Sequence, residues 1–217
     1  GFVGLLHPEG VYDDPKGNIL RESIYKKLKF HFQFQNAFNL FQEVAHREKY
    51  SSNIYSGKSS NVSFCSINNL FHPSTIDGCF SHSGKGFPGG IKIKDKSTDS
   101  FKWNITPHKS RIVKYDIERL KLLESTFVGG DDFMGTKLVS IHSEEIINVI
   151  SKINQTIHKL SNKNKVVTEG WHETNDINAG IIERKTIFPD YEKLEMIYSG
   201  PHIFVSNPSY KTPREIC

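Results

Sequence analysis

His7 and Glu9 stand two residues apart at the end of an apolar run, an imidazole and a carboxylate of the kind that exchange protons in acid–base catalysis. A histidine where a strand runs into a loop more often bonds the loop itself, and this pair reads first in that way. His142 with Glu145, and His172 with Glu173, bring the same groups together but lack the third and fourth ligands of a zinc site. No metal is expected. Cys65, Cys79 and Cys217 are odd in number and form no Cys-x-x-Cys pair, which argues against a disulfide framework and for a reducing, cytoplasmic setting. Gly84-Lys85-Gly86-Phe87-Pro88-Gly89-Gly90 lacks the spacer and the Lys-Ser/Thr of a phosphate-binding loop. Asn207-Pro208-Ser209-Tyr210 reads as a turn after a final strand.

Cationic residues offer a second kind of chemistry. Lys85, Lys92, Lys94, Lys96, Lys102, Lys109 and Arg111 make the middle of the chain basic, with Phe101 and Trp103 between them. Contact with nucleic-acid phosphates is one reading, with affinity that falls steeply as salt rises; a solvated loop is the other. A formal charge of +4 over 217 residues is mildly basic and far from a histone-like excess. With 36% hydrophobic and 24% charged residues, the composition is that of a soluble globular chain. No apolar run approaches the roughly 20 residues of a membrane span, so no membrane partner is expected. The opening Gly1–Leu6 is too short, and lacks the basic leader, for a signal peptide. It reads as a strand entered midway, and the chain as a piece of a larger one.

The elements that must position these groups follow from periodicity. Residues 2–6 are continuously apolar, as in a strand buried on both faces of a parallel sheet. Leu20, Ile24 and Leu28 repeat every four residues, predicting a helix with Arg21, Glu22, Lys26 and Lys27 outside. Phe30, Phe32 and Phe34 alternate with His31, Gln33 and Gln35, predicting a strand with its Phe face buried. Residues 50–55 and 62–67 read as two strands joined by a hairpin loop at 56–60. Residues 81–110 read as a long loop or weakly structured insertion. A helix capped by Asp116 buries Ile117, Leu120 and Leu123. Another, over about 143–161, is capped by Ser143 and carries Ile146, Ile150, Ile153, Ile157 and Leu160 as one stripe. Residues 196–205 read as a terminal strand.

Two segments then carry a resemblance. Gly4-Leu5-Leu6-His7-Pro8-Glu9-Gly10-Val11-Tyr12-Asp13-Asp14-Pro15-Lys16-Gly17 resembles a signature of the large restriction–modification methylases, gamma-class adenine-N6 DNA methyltransferases. Leu40-Phe41-Gln42-Glu43-Val44-Ala45-His46-Arg47-Glu48-Lys49-Tyr50-Ser51-Ser52-Asn53-Ile54-Tyr55 resembles their eighth motif. Trp171–Asn175 and Ser199–Pro208 resemble their downstream region. The family's glycine-rich donor loop and its Asn-Pro-Pro-aromatic motif are not in this sequence.

The resemblance implies an α/β fold. Residues 1–67 would be the C-terminal part of a methyltransferase sheet ending in an antiparallel hairpin. Residues 68–217 would be an α+β region leading toward target recognition. It implies S-adenosylmethionine as cofactor of the complete protein, double-stranded DNA and the rest of the methyltransferase chain as partners, and no catalytic residue within this piece. An enzyme that methylates a base must take it out of the helix, and the family motif places the aromatic that stacks on it at Phe41, with Tyr50 as the alternative. A stand-alone nucleic-acid-binding module, or a scaffold domain of a defence complex, are the rival expectations.

Overall fold

Apolar Val3–Leu6 does form a strand, β1 (Val3–Pro8), but at the edge of the sheet rather than inside it. The computed structural model describes residues 1–95, 97–156, 164, 166 and 172–183. Two short helices follow β1, α1 (Gly10–Asp13) and α2 (Asn18–Tyr25), and then β2 (Leu28–Gln35), β3 (Lys49–Tyr55) and β4 (Phe64–Leu70). Among the described residues the sheet has five strands in the order β1-β3-β2-β4-β7, where β7 is Val113–Tyr115. β3 runs antiparallel between β1 and β2, β4 is parallel to β2, and β7 is antiparallel to β4.

The hairpin expected at 56–60 does not form. The amides of Ser56 and Ser59 bond the carbonyls of Lys27 and Lys26, at 2.8 and 2.9 Å. These bonds carry the chain across the start of β2, so that β4 pairs on its far side. The antiparallel hairpin is instead β2–β3, joined through 36–48.

In two elements the period holds but the face is turned. α2 exposes Leu20 and buries Arg21, Tyr25 and, just beyond it, Leu28. Arg21 tolerates this because carbonyls ring its guanidinium: Nε donates to Gly135 O at 2.8 Å and Nη1 to Asp14 O at 2.7 Å. Tyr25 donates to Thr136 O at 2.7 Å. The chain passes so close here that a Cβ on Gly135 would stand 2.7 Å from Asn18 O. In β2, His31 and Gln33 are buried, whereas Phe30 and Phe32 are only half-buried. The main core, with Tyr12, Tyr25, Leu28, Phe64, Tyr115 and Leu120, lies on the His31 side. On the Phe side, α3 (Ser74–Ser81) covers a smaller cluster of Phe34, Ile67, Leu70 and Cys79.

The middle stretch is more ordered than a plain loop. A two-stranded hairpin, β5 (Lys92–Lys94) with β6 (Phe101–Trp103), precedes a short turn at Lys109–Arg111 and then β7. β4 runs through residue 67 and β7 joins the same sheet, all within the compact unit Gly1–Asn164. α4 (Ile117–Leu123) starts as expected, with the Asp116 carboxylate accepting from Arg119 N at 2.9 Å. α5 (Glu144–Asn154) buries Ile147 and Ile150 and leaves Ile146 and Ile153 exposed, so the expected stripe is displaced toward Ile147. Ser143 stands at its N-cap without a side-chain capping bond.

The second unit, Lys165–Cys217, contributes α6 (Glu173–Asn178), whose first turn the His172 ring caps by accepting from Asn175 N. Lys96, Ile157, Leu160, Trp171, the strand expected at 196–205, and Asn207–Tyr210 lie outside the described residues. No helix among the described residues is long and apolar enough to cross a membrane.

Candidate functional site

β1, β2 and β4 point the same way, and ligands of open α/β sheets bind beyond the carboxyl ends of such strands. At that edge lie His7 and Glu9, the 36–48 connection, and residues Asn68–Phe71.

Glu9 is 6% exposed, and its Oε1 lies 3.2 Å from His31 Nε2 while Oε2 accepts from Gln33 Nε2 at 2.7 Å. His31 Nδ1 is 2.8 Å from Ser66 Oγ, which donates to Asn68 Oδ1; Asn68 Nδ2 donates to Ile141 O. The His31 ring thus lies between the Ser66 hydroxyl and the Glu9 carboxylate. Burial pushes the Glu9 carboxyl up. The His31 bond and charge, with bonds from Gln33 and Ser51, more than reverse this and hold it below its ordinary value. Beside this group Tyr12 donates to Asn53 Oδ1 at 2.7 Å, and Asn53 Nδ2 lies 3.0 Å from His7 Nε2. The donors and acceptors of His7 and Glu9 are thus used in tying β1 to β2, β3 and β4. Partly satisfied buried networks are costly, and this one is nearly closed, with only Gln33 Oε1 left over. It ties the edge together, and His7 and Glu9 take part in it through their side chains.

Phe41 sits in the loop that Asn36 organises: Nδ2 of buried Asn36 donates to the carbonyls of Phe41 and Val44, and Oδ1 accepts from Phe41 N. The Phe41 ring is 40% exposed and meets Tyr50 edge-on, at 4.9 Å and 88°. Tyr50 stacks on Phe34 at 5.4 Å and 6°, so the pair is backed by a core ring. Burial raises the Tyr50 hydroxyl above its ordinary value. From the same loop Phe38 contacts Phe71, which stacks on Trp103 at 4.6 Å; Lys92 Nζ lies 4.4 Å over the Trp103 ring. The sequence offered no sign of this row, because Phe38, Phe71 and Trp103 share no period.

The cations separate into groups. Lys92, on Trp103, belongs to the Phe41 edge. Lys94 and Lys102 are paired across the hairpin with Asp99 and Asp95, exposed pairs that contribute little to stability. Lys85 and Lys109 are exposed, and the Lys109 chain passes within 3.5 Å of a Cβ placed on Gly84. Arg111 is fully buried, and its guanidinium donates to the carbonyls of Thr106, Asn68 and Asn69. It fastens the end of β4 rather than facing a phosphate, and so leaves the candidate phosphate-binding set.

His142 was not singled out as a site by itself. It is 5% exposed with neither ring nitrogen bonded. Burial, reinforced by the Arg111 charge, lowers its pKa to about 4. Among the described residues no cluster of three or more His, Cys, Asp or Glu could hold a metal. No family model, curated protein or solved structure matches this chain.

Proposed function

We propose that this chain supplies the base-facing edge of a DNA adenine-N6 methyltransferase of the gamma, restriction–modification type. The observation that carries the reading is that one loop, 36–48 at the carboxyl edge of the sheet, holds both the partly exposed Phe41, against Tyr50, and Phe38, which leads through buried Phe71 to Trp103 and Lys92. A base turned out of a duplex needs an aromatic face, and its flanking phosphates need a cation nearby. The rest of the methyltransferase chain is the proposed partner of β1. Val3, Leu5 and Leu6 are 56, 51 and 55% exposed on a strand that, among the described residues, is paired on one side only, the pattern of a strand that needs cover on both faces.

S-adenosylmethionine fits no group of residues described here. The left-handed glycines Gly84, Gly86 and Gly89 precede a strand rather than forming a strand-to-helix turn. The donor belongs, on this reading, to the complete protein.

The test is methyl transfer by the complete coding sequence. Labelled methyl groups should appear on adenine N6 of duplex DNA, and Phe41→Ala should abolish most turnover while Phe41→Trp keeps much of it. A complete sequence without an upstream glycine-rich loop and Asn-Pro-Pro-aromatic motif sinks the reading. Salt-sensitive DNA binding by such a chain would favour a stand-alone module built on the β5–β6 hairpin.

A further inference from the structure

At the opposite, amino edge of the parallel strands, on the Phe30 face, a cavity of about 430 Å³ opens between β2, β4 and β7. Its size falls within the range of small-molecule sites. Register builds its floor: Phe30 pairs with Cys65, and Cys65 with Lys114, so the three stand in one row across the strands. Phe2 adds apolar wall, Ser63 and Phe64 border the cavity at the start of β4, and Lys29 and Lys114 line it as well. On the same face, Phe80 of α3 meets Phe30 edge-on at 5.9 Å.

Two features define an occupant. The lining is mostly apolar and includes the rings of Phe2 and Phe30, which suits a flat apolar body. Neither the Lys29 nor the Lys114 ammonium has a hydrogen-bond or ion-pair partner among the described residues. The nearby Glu144 carboxylate is engaged by Arg119 Nη1 at 2.8 Å. Two unpaired cations above an apolar floor complement an anion carried on an aromatic ring.

We infer that this cavity is a binding site for a small aromatic anion, a carboxylate or phosphate monoester on a flat ring, separate from the carboxyl-edge site. It does not depend on the methyltransferase reading.

Cys65 reports on occupancy, since it lies in the floor and Cys79 is fully buried. In a Cys217→Ser background, the rate of maleimide labelling at Cys65 would be followed by peptide mapping. The probes are biphenyl-4-carboxylate, phenyl phosphate and neutral biphenyl-4-methanol. An anion at ten times its dissociation constant should slow labelling about tenfold by mass action, and whichever anion protects identifies the source. Protection should be lost in Lys29→Glu/Lys114→Glu and weakened in Lys29→Met/Lys114→Met, with near-UV circular dichroism unchanged. The inference is overturned if the neutral alcohol protects equally, if both double variants keep full protection, or if neither anion protects.

Discussion

At the scale of single residues, polar groups inside this protein divide into those with partners and those without. His142 is the clearest orphan, and its effect has a definite sign. Its folded-state pKa of about 4 lies below the ordinary 6.5, so the unfolded chain takes a proton first as pH falls. Its contribution is complete above pH 6.5 and is lost as pH falls toward 4, on the order of 3 kcal/mol in all. Glu9, also held below its ordinary 4.5, adds a loss only as pH falls below that value. The urea midpoint of His142→Leu should therefore change less than wild type between pH 6.5 and 4.5; an equal slope would remove His142 from the account. Phe41 and Phe34 offer a second comparison. Phe34, 5% exposed, should cost about 3–5 kcal/mol when cut to Ala. Phe41→Ala, with a ring 40% exposed, should cost less than half of that in urea titration. Equal costs would make Phe41 a core residue and pass the stacking role to Tyr50.

At the scale of elements, period was legible in the sequence and phase was not. Alternation from residue 30 to 35 located β2, and four-residue spacing located α2 and α5. Which face turned inward depended on groups far along the chain. Arg21 is inside because Gly135 O accepts from it, and His31 because Ser66 and Glu9 meet its two ring nitrogens. Hydrophobicity within a window carries no information about such partners. Pairing order failed for a similar reason: the bonds from Ser56 and Ser59 to the start of β2 have no sequence signature. The Asp116 cap, by contrast, was readable because its partner is three residues away. In α5 the displaced face gives a direct check. Ile147→Ala should destabilise by about 2–5 kcal/mol, and the half-exposed Ile153→Ala by well under half of that. Parity between them would restore the stripe as first read.

At the scale of the whole molecule, the sheet places the proposed base-facing rings at its carboxyl end and the cavity at its amino end, with β1 at its edge among the described residues. At the carboxyl end, the resemblance had named Phe41 and Tyr50, and these two rings do meet. The route from Phe38 to Lys92 was not legible, because it exists only once β5 and β6 fold back beside Phe71. If that route faces a duplex, binding by this chain should be weak, indifferent to sequence and steeply salt-dependent, and Lys92→Glu should weaken it more than Lys94→Glu, whose ammonium Asp99 already engages. Equal effects would detach Trp103 from the interface. Calorimetry should detect no binding of S-adenosylmethionine to this chain alone; micromolar binding would contradict the assignment of the donor to other residues.

The β1 edge also bears on solubility. Among the described residues β1 pairs on one side only, and its free edge is flanked by Val3, Leu5 and Leu6, with no charged side chain from Val3 to Leu6 to discourage strand addition. Such an edge is a template for runaway self-association, so the chain kept by itself should turn to thioflavin-positive aggregate as concentration rises. A single Leu5→Lys gatekeeper should delay this without disturbing the core, since that side chain is 51% exposed.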